Sequence, residues 1–145
     1  MCSSDLHILE RITPHQAPES ITAYTGLGHY LESLHKIAQI PGFDIALGGH
    51  EGPIRDVYRR IEHIRASHDR KLDRLLEIIR QAEHPPTVHE MTGAMYPKAK
   101  GFHQLLALEE VGAHSEYLYQ RGELAVSNLE SVEQEDNPVL RYRPA

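Results

Sequence analysis

An α+β, mostly helical fold is what this sequence of 145 residues predicts, and three observations carry the prediction. Apolar residues recur at helical spacing over three stretches, about 27–38, 56–82 and 102–120. One short apolar run, "FDIALGG" (43–49), is too short for a helix and ends on glycines. Two β-like pieces, "ELAVSN" and "VLRYR", follow the last helical stretch. A period near 3.6 marks a helix with one buried face, whereas short apolar runs between turn residues mark strands.

Each element has its own signal. "MCSSDL" (1–6) is small, polar and patternless, and it reads as a non-native or disordered start. Ile8, Leu9 and Ile12 alternate weakly and suggest a strand end, before a loop punctuated by Pro14 and Pro18. Leu27, Leu31, Leu34 and Ala38 share one helix face, and Pro41-Gly42 ends that helix. "FDIALGG" then reads as a buried strand running into a glycine turn, with His50 directly after it. Asp56 is the expected N-cap of the longest helix. Its stripe is Ile61, Ile64, His68, Leu72, Leu75 and Ile79, and its other faces, with Arg59, Arg60, Arg65, Arg70, Lys71 and Arg74, should be solvated.

Thr87 and Glu90 have the spacing of a capping box, in which each side chain satisfies the other's backbone N–H. A short helix with Val88, Met91 and Met95 inward should follow and end near Pro97. The next helix, Phe102 to Gln120, should turn Leu105, Leu108 (or Ala107) and Val111 inward and stop at Gly122. The acidic stretch "ESVEQEDNP" reads as the turn between the two β-like pieces. From about residue 68 onward the order is helix, helix, helix, hairpin, which is the layout of a winged-helix module.

Composition narrows the function classes. A hydrophobic content of 40% with 25% charged residues is ordinary for a globular protein. Cys2 is the only cysteine, so an intramolecular disulfide is ruled out and a reducing, cytoplasmic setting is expected. No apolar run approaches the roughly 20 residues of a membrane span, so no membrane partner is expected. The third helix of a winged helix normally meets DNA through Lys and Arg. Here it has neither and carries Glu109, Glu110 and Glu116, and the net charge is −6, so nucleic acid is not an expected partner.

Eleven histidines invite a metal site. A histidine in a glycine turn at a strand end suits a ligand, because glycine lets the backbone bend beside an ion; it is equally a polar turn residue. His50 is the one candidate of this kind. No H-E-x-x-H, H-x-H or C-x-x-C occurs, His63 and His68 fall on different helix faces, and His35, His84, His89, His103 and His114 stand singly. His68 lies on an apolar seam and should be a core histidine hydrogen-bonded across it. No nucleophile elbow or dinucleotide loop is present, so neither catalytic nor cofactor-binding residues are assigned.

"HILERITPHQ", "YLESLHKIAQIPGFDIALGGHEGPI" and "LEEVGAHSEYLYQRGEL" resemble the C-terminal part of metallo-β-lactamase-fold hydrolases of the β-lactamase-like 2 type, which carry a C-terminal winged helix. The resemblance covers about residues 7–145. It implies that 7–67 is the C-terminal remnant of an αββα domain and 68–145 a winged-helix domain. The family's turn usually reads P-G-H-G-P and its histidine ligates the second metal, which carries over to His50; here Glu51 is inserted after it. The family's H-x-H-x-D-H signature is absent, and its bridging aspartate position is held by Leu6, with Asp5 one residue early.

The expectation is therefore a C-terminal hydrolase fragment that contributes one second-site ligand and is inactive alone. Its partner would be a missing N-terminal catalytic half. The intact parent would use zinc, iron or manganese on a small ester- or thioester-like substrate, with no metal held tightly by this chain. The alternative expectation is a stand-alone winged-helix module for interaction or homodimerisation.

Overall fold

The longest amphipathic pattern becomes the spine of the fold. In the computed structural model, which describes residues 8–48 and 51–145, α1 is Leu27–Ala38, α2 Val57–Gln81, α3 Val88–Met95 and α4 Phe102–Gln120. β1 (Leu124–Val126), α5 (Leu129–Gln134) and β2 (Tyr142–Pro144) complete the chain. The expected irregular start, residues 1–6, lies outside the described residues.

Helix boundaries follow local chemistry. The Asp56 carboxylate accepts from the Arg59 N–H at 3.1 Å and opens α2. At α3 the capping box is complete: the Glu90 N–H donates to the Thr87 hydroxyl at 3.2 Å, and the Thr87 N–H to the Glu90 carboxylate at 2.7 Å. The bond from the Thr87 backbone N–H leads the interactions that hold the Glu90 carboxyl down at about 2. α4 ends as Gly122 takes φ +71, with its N–H on the Tyr119 carbonyl and the Glu123 N–H on the Leu118 carbonyl. This paired termination needs a left-handed residue, which glycine adopts without steric cost.

All of α2's predicted stripe is buried, and it collects the rest of the chain around it. α1 packs on α2 and α4, while α3, α4 and β2 pack along α2. One buried cluster runs without a break from Ile8, Leu27 and Leu34 through Ile61 and Leu75 to Leu124 and Tyr142. Burying a Leu or Ile side chain contributes about 1.5–3 kcal/mol, so this shared cluster dominates the fold's stability. β1 and β2 form a two-stranded antiparallel sheet, with Leu124 opposite Pro144 and Val126 opposite Tyr142. A further bridge joins Thr87 to Arg141, and the Tyr142 N–H reaches the Pro86 carbonyl at 2.9 Å.

Several expectations are corrected. "FDIALGG" is not a buried strand. Among its described residues, 43–48, only Ala46 pairs, with Ile54 on the return side of its own turn, and Ile45 and Leu47 are 44% and 77% exposed. A strand needs a neighbour for its backbone groups, and the described residues supply none beyond Ile54. Residues 8–12 form no strand either; Arg60 instead donates to the Leu9 carbonyl at 2.7 Å and the Ile12 carbonyl at 2.8 Å. Arg60 is thus not on a solvated face, and neither is Lys71, which pairs with Glu110. Leu105 is 50% exposed while Ala107 and Val111 are buried. The acidic connection is not a plain turn but contains α5.

Candidate functional site

The glycine turn is built by its flanks. Ala46 and Ile54 exchange both backbone hydrogen bonds, at 2.9 and 2.8 Å, bringing the two limbs of the turn together just ahead of α2. The Tyr58 hydroxyl, from the first turn of α2, donates to the Ile40 carbonyl at 2.7 Å and accepts from the Phe43 N–H at 3.3 Å. This ties the incoming limb to the helix. The inserted Glu51 takes φ +68, unusual for a residue with a side chain, and its carboxylate accepts from the Arg11 N–H at 2.9 Å. Gly52 sits so close to Glu10 that an added Cβ would lie 3.0 Å from its carboxylate. The turn is therefore stapled to residues 10 and 11, although the two are 40 positions apart.

His50, the sequence-predicted ligand, lies outside the described residues. Among the described residues no group of three or more His, Cys, Asp or Glu side chains comes together to hold a metal ion. That donor set does not by itself fit a resident zinc, which takes three or four protein ligands.

The structure does bring together polar groups the sequence left separate. His68 Nδ1 and His114 Nε2 lie 3.0 Å apart between α2 and α4, at 0% and 1% exposure. His114 Nδ1 lies 2.7 Å from the Glu110 backbone carbonyl, which can only accept, so Nδ1–H donates there. His114 Nε2 then accepts from His68 Nδ1–H, and His68 Nε2 is left buried without a partner among the described residues. The expected core role of His68 holds; its partner, His114, was not foreseen. Burial, followed by the neighbouring His114 and Lys71, pushes His68 down to about 3, and burial lowers His114 as well. Burial alone would raise the nearby Glu110 carboxyl, but its bonds from Lys71 and Tyr96 bring it below its ordinary value.

The three glutamates of α4 are all engaged. Glu110 turns inward as described. Glu116 accepts from the Glu19 and Ser20 N–H groups at 2.6 and 3.2 Å, and Glu109 meets His15 at 2.5 Å. An added Cβ at Gly112 would fall 2.9 Å from Pro18 Cγ, so glycine is what lets this segment lie against α4. Residues 15–20 thus lie along the face of α4 that carries Glu109, Gly112 and Glu116.

Beside this strap lies a cleft of about 950 Å³ bounded by residues 9–16, α2, the α3–α4 connection and α4. A smaller groove of about 490 Å³ separates α4 from the hairpin. No helix among the described residues is long and apolar enough to cross a membrane.

Neither a protein-family model nor a curated protein matches the chain. Solved structures do. Over 97% of its length the chain is similar to a β-lactamase domain protein from Burkholderia ambifaria, with a TM-score of 0.78, 27% identity and 40% of that chain covered. Over the same share it is similar to a metallo-β-lactamase family protein from Thermus thermophilus, with a TM-score of 0.72, 29% identity and again 40% covered. The chain spans 40% of the length of these solved proteins, and its mixed helical fold with a two-stranded sheet matches a part of the metallo-β-lactamase-family architecture.

Proposed function

We infer that this chain is the C-terminal part of a metal-dependent, metallo-β-lactamase-fold hydrolase, with residues 68–145 as a winged-helix module. The observation that carries this reading is the likeness of nearly the whole chain to 40% of two metallo-β-lactamase-family proteins. The Ala46–Ile54 bridge, which joins the two limbs on either side of His50 in the sequence, supports it. The run of three helices, α2 to α4, into an antiparallel pair bridged back to Thr87 supports the winged helix. In this reading His50 supplies one ligand to a second metal position, and the remaining ligands come from an N-terminal half. Zinc suits the imidazole, and iron or manganese suit the same mixed imidazole and carboxylate set. The substrate class is a small ester or thioester, the setting cytoplasmic, and the chain alone inactive.

One observation favours the alternative of a self-standing interaction module: the buried cluster is continuous from Ile8 to Tyr142 within this chain. Sequencing the transcript that encodes the chain separates the two. An in-frame H-x-H-x-D-H upstream is the expected result. An open frame without that signature, or a stop codon immediately upstream, overturns the hydrolase parentage.

A further inference from the structure

The 950 Å³ cleft has one wall group fixed in an unusual way. Arg60 Nε and Nη2 are held by the Leu9 and Ile12 carbonyls at 2.7 and 2.8 Å, so the planar guanidinium is locked before any ligand arrives. No carboxylate among the described residues neutralises it. A guanidinium clamped by neutral carbonyls keeps its full charge and has already lost its rotamer freedom, which is the preorganised state that favours binding an anion. Arg11 and His103 add exposed basic groups to the same cleft. Its one internal carboxylate, Glu110, is already matched by Lys71. The remaining surface is mainly aliphatic, from Leu9, Ile12, Pro14, Ile64, Leu106 and Ala107.

We propose that this cleft binds a monocarboxylate carried on an aliphatic body, with the carboxylate on Arg60 and the tail along Ile64 and Ala107. The volume falls within the range of about 300–1,000 Å³ usual for small-molecule pockets. The chain's net charge of −6 disfavours a polyanion such as a nucleotide, whereas a single charge is offset locally by Arg60 and Arg11. The locked arginine also has a purely structural use, as a strut satisfying two carbonyls of a segment with no strand neighbour among the described residues. A strut needs no ligand, and the experiment distinguishes the two roles. The site uses no residue of the proposed metal position, so it stands or falls independently of the hydrolase reading.

The test is calorimetric titration of the full chain with decanoate and, as the uncharged counterpart, decanol. It is paired with NMR contacts from the ligand's terminal methyl. Decanoate should bind saturably below about 1 mM and about tenfold more tightly than decanol. Its methyl should contact Ile64 and Ala107. Arg11→Gln, at an exposed position, should weaken decanoate about threefold and leave decanol unchanged. Arg60→Met should erase the preference for decanoate. If decanoate and decanol bind alike, if neither saturates, or if the methyl contacts fall in the groove at Leu108 and Leu140, the proposal is overturned.

Discussion

Acidification from pH 7 to about pH 4 should remove roughly 3 kcal/mol of stability through His68 alone, about one proton's worth, or 1.4 kcal/mol, per pH unit. His68 is fully buried and neutral, and its folded value of about 3 lies well below the ordinary 6.5. The unfolded chain therefore binds a proton that the folded chain refuses. Its stabilising contribution is complete above pH 6.5 and is lost progressively as the pH falls toward 3. The groups facing it do not reverse the sign: His114 is depressed in the same direction, and Lys71 repels a second positive charge, while Glu110 is the one neighbour that favours it. His68→Asn retains an N–H donor near the Nδ1 position and removes the titration. Urea unfolding of both proteins between pH 7 and 4 should give a profile about one proton shallower in the variant. Parallel profiles would mean that His68 is protonated in the native protein.

Leu75→Ala should cost about 2–5 kcal/mol, the range for deleting a fully buried leucine side chain. Leu75 is 0% exposed, on the helix that packs against α1, α3, α4 and β2 together. For a domain of this size that corresponds to a fall of roughly 5–15 °C in Tm. Leu105→Ala is the matched control: Leu105 is 50% exposed and its loss should stay within about 0.5 kcal/mol. Thermal unfolding of both variants checks the pair. Equal destabilisation would place Leu105 in the core and contradict the packing described.

The elements legible in the sequence were those whose signals are local. Asp56, the Thr87–Glu90 box and Gly122 each act within a few residues, and each marked its helix end correctly. α2 was legible because its apolar stripe and polar faces are cleanly separated. α4 was harder. Its buried positions include Gly112, Ala113, His114 and Ser115, small or polar residues that admit close neighbours, so the larger Leu105 misled the assignment of its inner face. Nothing local announces a partner 46 or 97 positions away, and so the His68–His114 pair and the Glu116 hold on Glu19 were invisible to spacing. "FDIALGG" was misread because an apolar run reports affinity for a buried place, not whether a neighbouring strand is there to fill. Of the candidate site, the turn was legible as a loop, but its tie to Arg11 through the inserted Glu51 was not. His50 itself came from a glycine-flanked pattern and a family resemblance.

The central claim is that the metal position in which His50 takes part is completed from outside this chain. Calorimetric titration of the purified chain with zinc, beside His50→Ala, tests it most directly. The account predicts binding no tighter than that of a stray surface histidine and indistinguishable between the two proteins. Tight, stoichiometric binding that His50→Ala abolishes would contradict it, because the chain, alone or as a dimer, would then assemble the site by itself.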